Sequence, residues 1–229
     1  MVGVGINPDD SDESLEVVPV SKRPRGKYIV IEGTDGAGKT TQVESLRVWL
    51  QARGIPAEIV REPGGDPFAE QLRTSILDPN HEVTPLAQHF AFQAARANLR
   101  ERVIRPLLEG GSWVLADRSE ASTLVYQAHA GGLEQLPVWR DIVEVQAIAA
   151  PDMYLILDID LETQAIRRPK LDEGRFELAG DYFRQRVVEG YRWVVSYLQS
   201  RGAIAYLLDG RLDEDTVFKH ICSYVEQLD

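Results

Sequence analysis

A glycine-rich segment, Gly33 to Thr40, constrains this chain more than any other part of its sequence. It reads GTDGAGKT and fits the pattern G-x-x-x-x-G-K-[ST]. The apolar strand signal YIVIE precedes it, and apolar positions at helical spacing follow it from Thr40 to Arg53. Glycines let a backbone fold around an anion, and a helix N-terminus adds a partial positive charge. The segment is therefore predicted to bind a nucleoside triphosphate.

Two side chains of this loop have expected chemical roles. Lys39 is expected to reach the terminal phosphates, and the Thr40 hydroxyl is expected to hold Mg²⁺. The alternative, an ordinary glycine turn, is disfavoured because both the flanking strand and the flanking helix match. The residues expected to contact the triphosphate are Gly33, Thr34, Asp35, Gly36, Ala37, Gly38, Lys39, Thr40 and Thr41.

Composition narrows the class of protein. The chain has 229 residues, of which 44% are hydrophobic and 27% are charged, as expected for one globular domain. A net charge of -11 argues against a nucleic-acid partner, because a polyanion would be repelled. A single cysteine, Cys222, excludes an internal disulfide. Neither a membrane span nor a signal peptide is visible, so we expect a cytoplasmic protein that does not bind membranes.

The chain is predicted to form an α/β fold of the P-loop NTPase type, with three layers and a five-stranded parallel sheet. Residues 1–26 are acidic, then basic, and poor in large apolar groups, so they are predicted to be a disordered tail before a domain over residues 27–229. Short apolar strands then alternate with helical segments. Strands are predicted at 28–32, 57–61, 113–116, 153–159 and 203–208. Helices are predicted at 40–53, around 72–77, and at 84–109, 119–130, 138–149, 161–168, 181–201 and 213–228.

Polar residues follow several predicted strands, where open parallel sheets bind their ligands. Asp117 and Arg118 follow the third strand. The aspartate can orient Mg²⁺ or its water, and the arginine can grip a phosphate by two hydrogen bonds. A salt-linked strand end is the alternative for this pair. Acidic residues from Asp158 to Asp160 are more typical of a helix N-cap.

The phosphate loop with its flanking residues, EGTDGAGKTTQ from Glu32, resembles that of bacterial thymidylate kinases. The resemblance spans about residues 28–228 and is carried by further segments in the same order. These segments are Arg61 to Gly65, Leu72-Arg73, Phe92 to Arg96, Asp117-Arg118, Ser122-Thr123, Tyr126-Gln127 and Pro151-Asp152.

The resemblance implies that Mg²⁺-bound ATP donates a phosphoryl group to dTMP. Asp35 would contact the acceptor sugar or the magnesium shell, and Arg73 and Arg118 would hold the dTMP phosphate. Phe92 would stack on the base, although alone it is more typical of a core residue. The residues implied to bind dTMP are Asp35, Glu62, Pro63, Arg73, Phe92, Arg96, Arg118, Thr123, Tyr126 and Gln127. The residues implied to be catalytic are Lys39, Asp35, Arg118, Arg167, Arg168 and Arg175, and the candidate Mg²⁺ ligands are Thr40 and Asp117.

Catalytic arginines are expected in a lid at about residues 167–180. Some members of the family carry one inside the phosphate loop, where this chain has Gly36. The charged segment from Arg167 to Glu177 offers Arg167, Arg168 and Arg175, although such runs are often only solvated loops. Ser119 also departs from the family pattern, because an aromatic residue or histidine often follows Asp-Arg. The resemblance further implies a homodimer.

Two alternatives to dTMP phosphorylation remain open from sequence. One is a kinase of another nucleoside monophosphate or of a deoxynucleoside. The predicted phosphate grip of Arg73 and Arg118 favours a monophosphate acceptor and so disfavours only the deoxynucleoside. The other is a nucleotide-binding regulatory domain without turnover. Its motivation is the lid, which looks shorter than the family's and altered from Asp172 to Gly174, whereas the presence of Lys39, Asp35 and Arg118 argues against it.

Overall fold

The structure, a computed structural model, describes residues 24–167, 175–176 and 178–228. Five parallel strands form its central sheet: β1 (Tyr28–Gly33), β2 (Ala57–Arg61), β3 (Trp113–Asp117), β4 (Met153–Asp158) and β5 (Ala205–Asp209). Their order across the sheet is β2-β3-β1-β4-β5, so the strand that enters the phosphate loop lies at the centre. This arrangement confirms the predicted α/β fold with five parallel strands.

Helices cover both faces of the sheet. They are α1 (Lys39–Gln51), α2 (Pro67–Leu77), α3 (Pro85–Leu99), α4 (Arg105–Glu109), α5 (Glu120–Thr123), α6 (Gln135–Gln146), α7 (Leu161–Arg167), α8 (Gly180–Gln199) and α9 (Glu214–Val225). Side-chain caps begin several of them. The Asp66 carboxylate accepts from the backbone of Phe68 and Ala69 before α2, and Thr84 Oγ1 accepts from Ala87 before α3. Within the described residues, none of these helices has the length and apolar composition needed to cross a bilayer.

The sequence predicted one regular helix over residues 84–109, and the structure differs there. The helical path continues, but Arg100–Ile104 is a π-helical segment between α3 and α4. Arg105 N donates to Arg100 O, five residues back. Pro106 gives a physical reason, because it lacks an N–H and its ring would press on the carbonyl of residue 102 in a regular helix. A second π-helical segment, Leu124–Ala130, follows α5 and carries residues of the predicted acceptor site.

The core forms two layers because successive residues of β1 point to opposite faces of the sheet. Tyr28 and Val30 pack with α8 and with the helical path through residues 99–108. Ile29 and Ile31 pack with α1 and α9 on the other face. All four side chains are fully buried, as a central parallel strand requires. The phosphate loop therefore follows a strand that is buried on both faces.

The domain begins at least two residues before the first strand. Gly26 N donates to Leu108 O at 2.9 Å, and Arg25 forms an ion pair with Asp152 at 3.0 Å. The end of the predicted 1–26 tail therefore contacts the folded domain. Residues 1–23 lie outside the described residues.

Candidate active site

The phosphate loop has a backbone that other residues would not easily adopt. Gly33 has a φ of 143°, and a Cβ placed there would lie 2.5 Å from Leu157 O on the neighbouring strand. Gly38, immediately before α1, has a φ of 95°. Both conformations favour glycine. The loop therefore leads directly from the central strand into the N-terminus of α1, where backbone N–H groups can receive an anion.

Lys39 is buried at the bottom of this loop. Its Nζ donates to Thr34 O at 2.9 Å and lies 3.7 Å from Asp35 Oδ1. Burial, with a smaller contribution from Arg118, lowers the pKa of Lys39 to about 8. A buried ammonium attracts an anion more strongly than an exposed one, because water screens it less. The side chain thus has the position and the electrostatics expected of a phosphate-binding lysine.

The two predicted Mg²⁺ ligands contact each other. Thr40 Oγ1 donates to Asp117 Oδ2 at 2.6 Å, across the gap between the phosphate loop and the end of β3. A hydroxyl and a carboxylate supply the hard oxygen ligands that Mg²⁺ prefers. Their chemistry and their place beside the loop fit a magnesium ion bound together with a triphosphate.

A cavity of about 290 Å³ adjoins the loop. It is lined by every residue that the resemblance implied to bind dTMP, and also by residues not assigned from sequence: Leu77, Ser119, Ser122 and Phe176. The predicted residues come from five separate parts of the chain and meet at the carboxyl edge of the sheet. Asp35 belongs to both sites, because it lies in the phosphate loop and lines the cavity.

The inner end of the cavity is formed by a buried network around Arg96. Its Nε donates to Glu62 Oε2 at 2.5 Å, its Nη2 donates to Thr123 Oγ1 at 3.2 Å, and its Nη1 contacts Gln93. Burial raises the pKa of Glu62, although Arg96 and Arg100 oppose that effect. Arg96 and Glu62 are each about 95% buried. Three side chains therefore hold Arg96 in place, and two of them, Glu62 and Thr123, line the same cavity.

Behind Arg96 lies a second buried pair that sequence reasoning missed. Arg100 Nη2 contacts Glu120 Oε2, and Tyr154 OH donates to Glu120 Oε1 at 2.5 Å. Burial would raise the pKa of Glu120, but Arg100 and Arg96 outweigh it and lower the pKa to about 2. Glu120 stays ionised and supports the Arg96 side of the cavity.

Two arginines lie at the outer end of the cavity. Arg73 Nη1 donates to Pro63 O at 2.9 Å. Arg118 Nη2 donates to Asp35 Oδ1 at 2.5 Å, and its guanidinium lies 5.6 Å from the centre of the Tyr126 ring. Both residues were predicted to grip the acceptor phosphate, and the structure brings both to the cavity on the side of the phosphate loop.

The two described arginines of the predicted lid occupy different places. Arg167 Nη1 lies 2.7 Å from Gly210 O and 3.4 Å from Gly36 O, so its guanidinium reaches the phosphate loop. Arg175 instead donates to the backbone at the end of α2, through Nε to Ile76 O at 2.8 Å and through Nη2 to Asp78 O at 2.7 Å. The structure thus brings Arg167 to the predicted donor site and does not bring Arg175 there. Arg168 lies outside the described residues.

Sequence reasoning also assigned no role to Glu32. Its carboxylate is fully buried, one residue before the loop, and accepts hydrogen bonds from Ser119 N at 2.7 Å and Ser122 N at 3.0 Å. A signal was present, because a charged residue in an otherwise apolar buried strand needs several partners. The partner identities depend on tertiary contacts and could not be read from the chain.

A phosphate-binding loop beside a cavity with arginines at the shared boundary defines a P-loop kinase of small nucleotides. A family model described as thymidylate kinase matches residues 31–202. The chain is 36% identical over 211 residues to the thymidylate kinase of Chlorobium chlorochromatii, covering 86% of this chain and 93% of that protein. It is 39% identical over 179 residues to that of Synechococcus sp. strain WH7803, covering 73% and 82%. The chain belongs to the thymidylate kinase family.

The fold agrees with a solved member of the same family. The crystal structure of thymidylate kinase from Ehrlichia chaffeensis superposes with a TM-score of 0.70 and covers 89% of this chain and 100% of that chain. Its sequence identity is 23%, so this comparison bears on the fold alone. Family membership, established by sequence, makes this chain an enzyme that phosphorylates dTMP.

Proposed function

We propose that the chain transfers the terminal phosphoryl group of ATP to dTMP at the boundary between the phosphate loop and the cavity, giving dTDP and ADP. One observation carries this placement: Asp35 belongs to the loop, lines the cavity and accepts from Arg118 at 2.5 Å. Phosphoryl transfer requires donor and acceptor to meet in line while water is excluded. The shared position of Asp35 supplies such a meeting point.

The cavity binds dTMP with its base inward and its phosphate toward the loop. Phe92 stacks on thymine, and Arg96 and Thr123 hydrogen-bond to the base edge. Glu62 holds Arg96 in place through their buried ion pair, with Pro63 beside it. Tyr126 and Gln127 border the sugar. Arg73 and Arg118 hold the phosphate, since a guanidinium matches phosphate oxygens in a bidentate manner.

The loop binds ATP through the N–H groups of residues 33–41 and the Lys39 ammonium. Thr40 and Asp117 would hold Mg²⁺, which supplies charge neutralisation for the transferring phosphoryl group when bound. Arg167 adds charge from the lid, because it reaches the Gly36 carbonyl at 3.4 Å. That is the loop position at which the family resemblance implies an arginine in some members. Arg168 and Arg175 were predicted from sequence for the same role, but the contacts of Arg175 with the end of α2 lead us to assign it a role at that helix instead.

Turnover of several acceptors tests this proposal. Coupled ADP release would be measured with dTMP, dUMP, UMP, AMP and thymidine at equal concentrations. We expect dTMP to have the highest kcat/KM, because Arg73 and Arg118 need a phosphate and the inner cavity needs thymine. Faster turnover of thymidine, or ATP binding without transfer to any acceptor, would contradict the proposal.

We also propose that the chain forms a homodimer. Leu86 and Phe90 lie one turn apart on α3 and are more than half exposed. Leu136 and Val143 lie on the exposed face of α6, which packs against α3. Large exposed apolar side chains on adjoining helices are typical of an interface. Sedimentation should show a dimer that Phe90→Glu dissociates, whereas Val48→Glu, at an exposed site on α1, should not.

The cytoplasmic location proposed for the enzyme rests on sequence alone. A reducing compartment is consistent with the single cysteine, Cys222, and the substrates of nucleotide phosphorylation are intracellular metabolites. Cell fractionation with an antibody against the chain would test this location.

A further inference from the structure

The hydroxyl of Tyr191 joins the buried strand β1 to the arginine at the acceptor phosphate. Tyr191 lies on α8 and is 1% exposed. Its hydroxyl accepts from Arg118 Nη1 at 2.8 Å and donates to Glu32 Oε2 at 3.0 Å. Arg118 and Tyr191 are 73 residues apart in the chain. Tyr191 lies behind the cavity lining, so it contacts the site only through other residues.

Glu32 gives this hydroxyl a fixed orientation. The Glu32 carboxylate accepts from two backbone N–H groups, from Ser122 Oγ at 2.8 Å and from Tyr191 OH. A phenol has one proton, and burial together with the Glu32 charge raises the pKa of Tyr191, so that proton stays on the oxygen. Because the proton is directed at Glu32, the oxygen lone pairs remain for Arg118 and for Ser122 Oγ, which lies 3.0 Å away.

Both terminal nitrogens of the Arg118 guanidinium are held by protein side chains. Its backbone has a φ of 73°, a left-handed conformation that is uncommon for residues other than glycine. Its Nη2 is directed at Asp35, and its Nη1 is directed at Tyr191 and, at 3.2 Å, at Ser122 Oγ. A guanidinium has five N–H groups, so these contacts leave N–H groups for a phosphate.

We propose that Tyr191 is a positioning residue that holds the Arg118 guanidinium in register with the acceptor phosphate. The inference rests on the proposed placement of the dTMP phosphate beside Arg118. Tyr191 fixes the Nη1 end, and Asp35 fixes the Nη2 end. Without the hydroxyl, Arg118 Nη1 keeps only the longer contact with Ser122. The side chain is then less ordered before binding, and the entropy cost of ordering it weakens the binding of the phosphate.

The test is Tyr191→Phe, which removes one oxygen and no group that faces the cavity. Calorimetric titration would compare the binding of dTMP with that of thymidine, which has the same base and sugar but no phosphate. We expect the dTMP Kd to rise about tenfold, the usual scale for one hydrogen bond to a charged group, and the thymidine Kd to stay unchanged. In Arg118→Ala protein, adding Tyr191→Phe should change the dTMP Kd no further.

Tyr197→Phe is the matched control, because Tyr197 lies on the same helix and its hydroxyl donates to Gln135 O at 3.4 Å. It should leave both affinities unchanged. An unchanged dTMP Kd in Tyr191→Phe, or an equal loss for thymidine, would overturn the inference, since the latter result describes a purely structural role. Should Tyr191→Phe fold poorly, Tyr191→Met removes the same hydroxyl and is compared in the same way. Wild-type turnover of dTMP is measured separately, so a failure of the proposed function is distinguishable from a failure of this inference.

Discussion

The donor loop and the acceptor cavity are built in opposite ways. Most of the proposed donor side comes from one short segment, Gly33 to Thr40, whose backbone N–H groups are proposed to bind the triphosphate. The acceptor side is assembled from side chains of distant segments, such as Glu62, Arg96 and Arg118, which support one another through buried contacts. A backbone site tolerates changes in its surroundings, whereas a side-chain site depends on each supporting contact. Substitutions on the two sides should therefore have different signatures.

The largest effect is expected on the donor side, at Lys39. Lys39→Met should lower kcat about 1000-fold, because it removes a buried charge that stabilises the transferring phosphoryl group. The dTMP affinity should change little, since Lys39 is not among the residues that line the cavity. Calorimetric dTMP titration and coupled turnover would measure both quantities.

Arg47→Met is the control for Lys39→Met, because Arg47 lies on the same helix and pairs at the surface with Glu44 at 2.9 Å. It should retain wild-type turnover. If Lys39→Met weakened dTMP binding as strongly as turnover, the separation between the donor and acceptor sides would be refuted.

Arg96 should show the opposite signature. Arg96→Ala should lower kcat/KM for dTMP about 100-fold and reduce discrimination among nucleoside monophosphates, with ATP affinity retained. It should also destabilise the fold by about 3 kcal/mol, because the buried Glu62 carboxylate loses its partner. Coupled assays and thermal unfolding would measure the two effects.

The Arg96→Lys variant distinguishes the role of Arg96 in dTMP recognition from its role in the stability of the fold. Lysine keeps a positive charge beside Glu62 but lacks the planar fork of donors that reaches Gln93 and Thr123. We expect it to recover most of the stability and little of the dTMP specificity. Recovery of both, or a loss of ATP affinity in Arg96→Ala, would contradict the assignment of Arg96 to the acceptor base.

The same contrast explains what sequence could predict. The phosphate loop, the strands and their carboxyl ends follow from local patterns, so these parts of the fold were predicted correctly. The Glu120 pair was not, because it joins residues that only the tertiary fold brings together. The π-helical segment at Arg100–Ile104 was also missed, although Pro106 was a local signal that a regular helix would be interrupted there. The placement of Arg175 against α2 likewise follows from tertiary contacts and has no sequence signal.

Raising the pH should change activity and stability in opposite directions through Lys39 on the donor side. The Lys39 ammonium has its pKa lowered by burial from 10.5 to about 8. Activity at low ATP should therefore fall about tenfold per pH unit above that pKa, as the charged form is lost. Between pH 8 and 10.5 the unfolded chain binds more protons at this residue than the folded chain, so its contribution to stability rises with pH.

Measurements of kcat/KM for ATP and of thermal unfolding across this pH range check the two opposite trends. In Lys39→Met the rise in stability with pH that comes from Lys39 should be absent, because methionine does not titrate in the folded or the unfolded chain. A pH profile for ATP that stays flat to pH 10 would contradict the assigned role of the Lys39 charge.

The smallest effects are expected for Arg167 and Arg175, the two described arginines of the predicted lid. The sequence predicted the same catalytic role for both, and we expect their substitutions to affect different kinetic constants. Arg167→Ala should lower kcat about tenfold, because its guanidinium reaches the phosphate loop at Gly36. Arg175→Ala should instead raise the dTMP KM a few-fold with kcat nearly unchanged, because Arg175 ties the lid to the end of α2, the helix that carries Arg73. Each variant is the matched control for the other, since both remove one guanidinium from the lid. A loss of kcat in Arg175→Ala but not in Arg167→Ala would contradict both assignments. It would mean that Arg175, rather than Arg167, supplies charge to the transferring phosphoryl group.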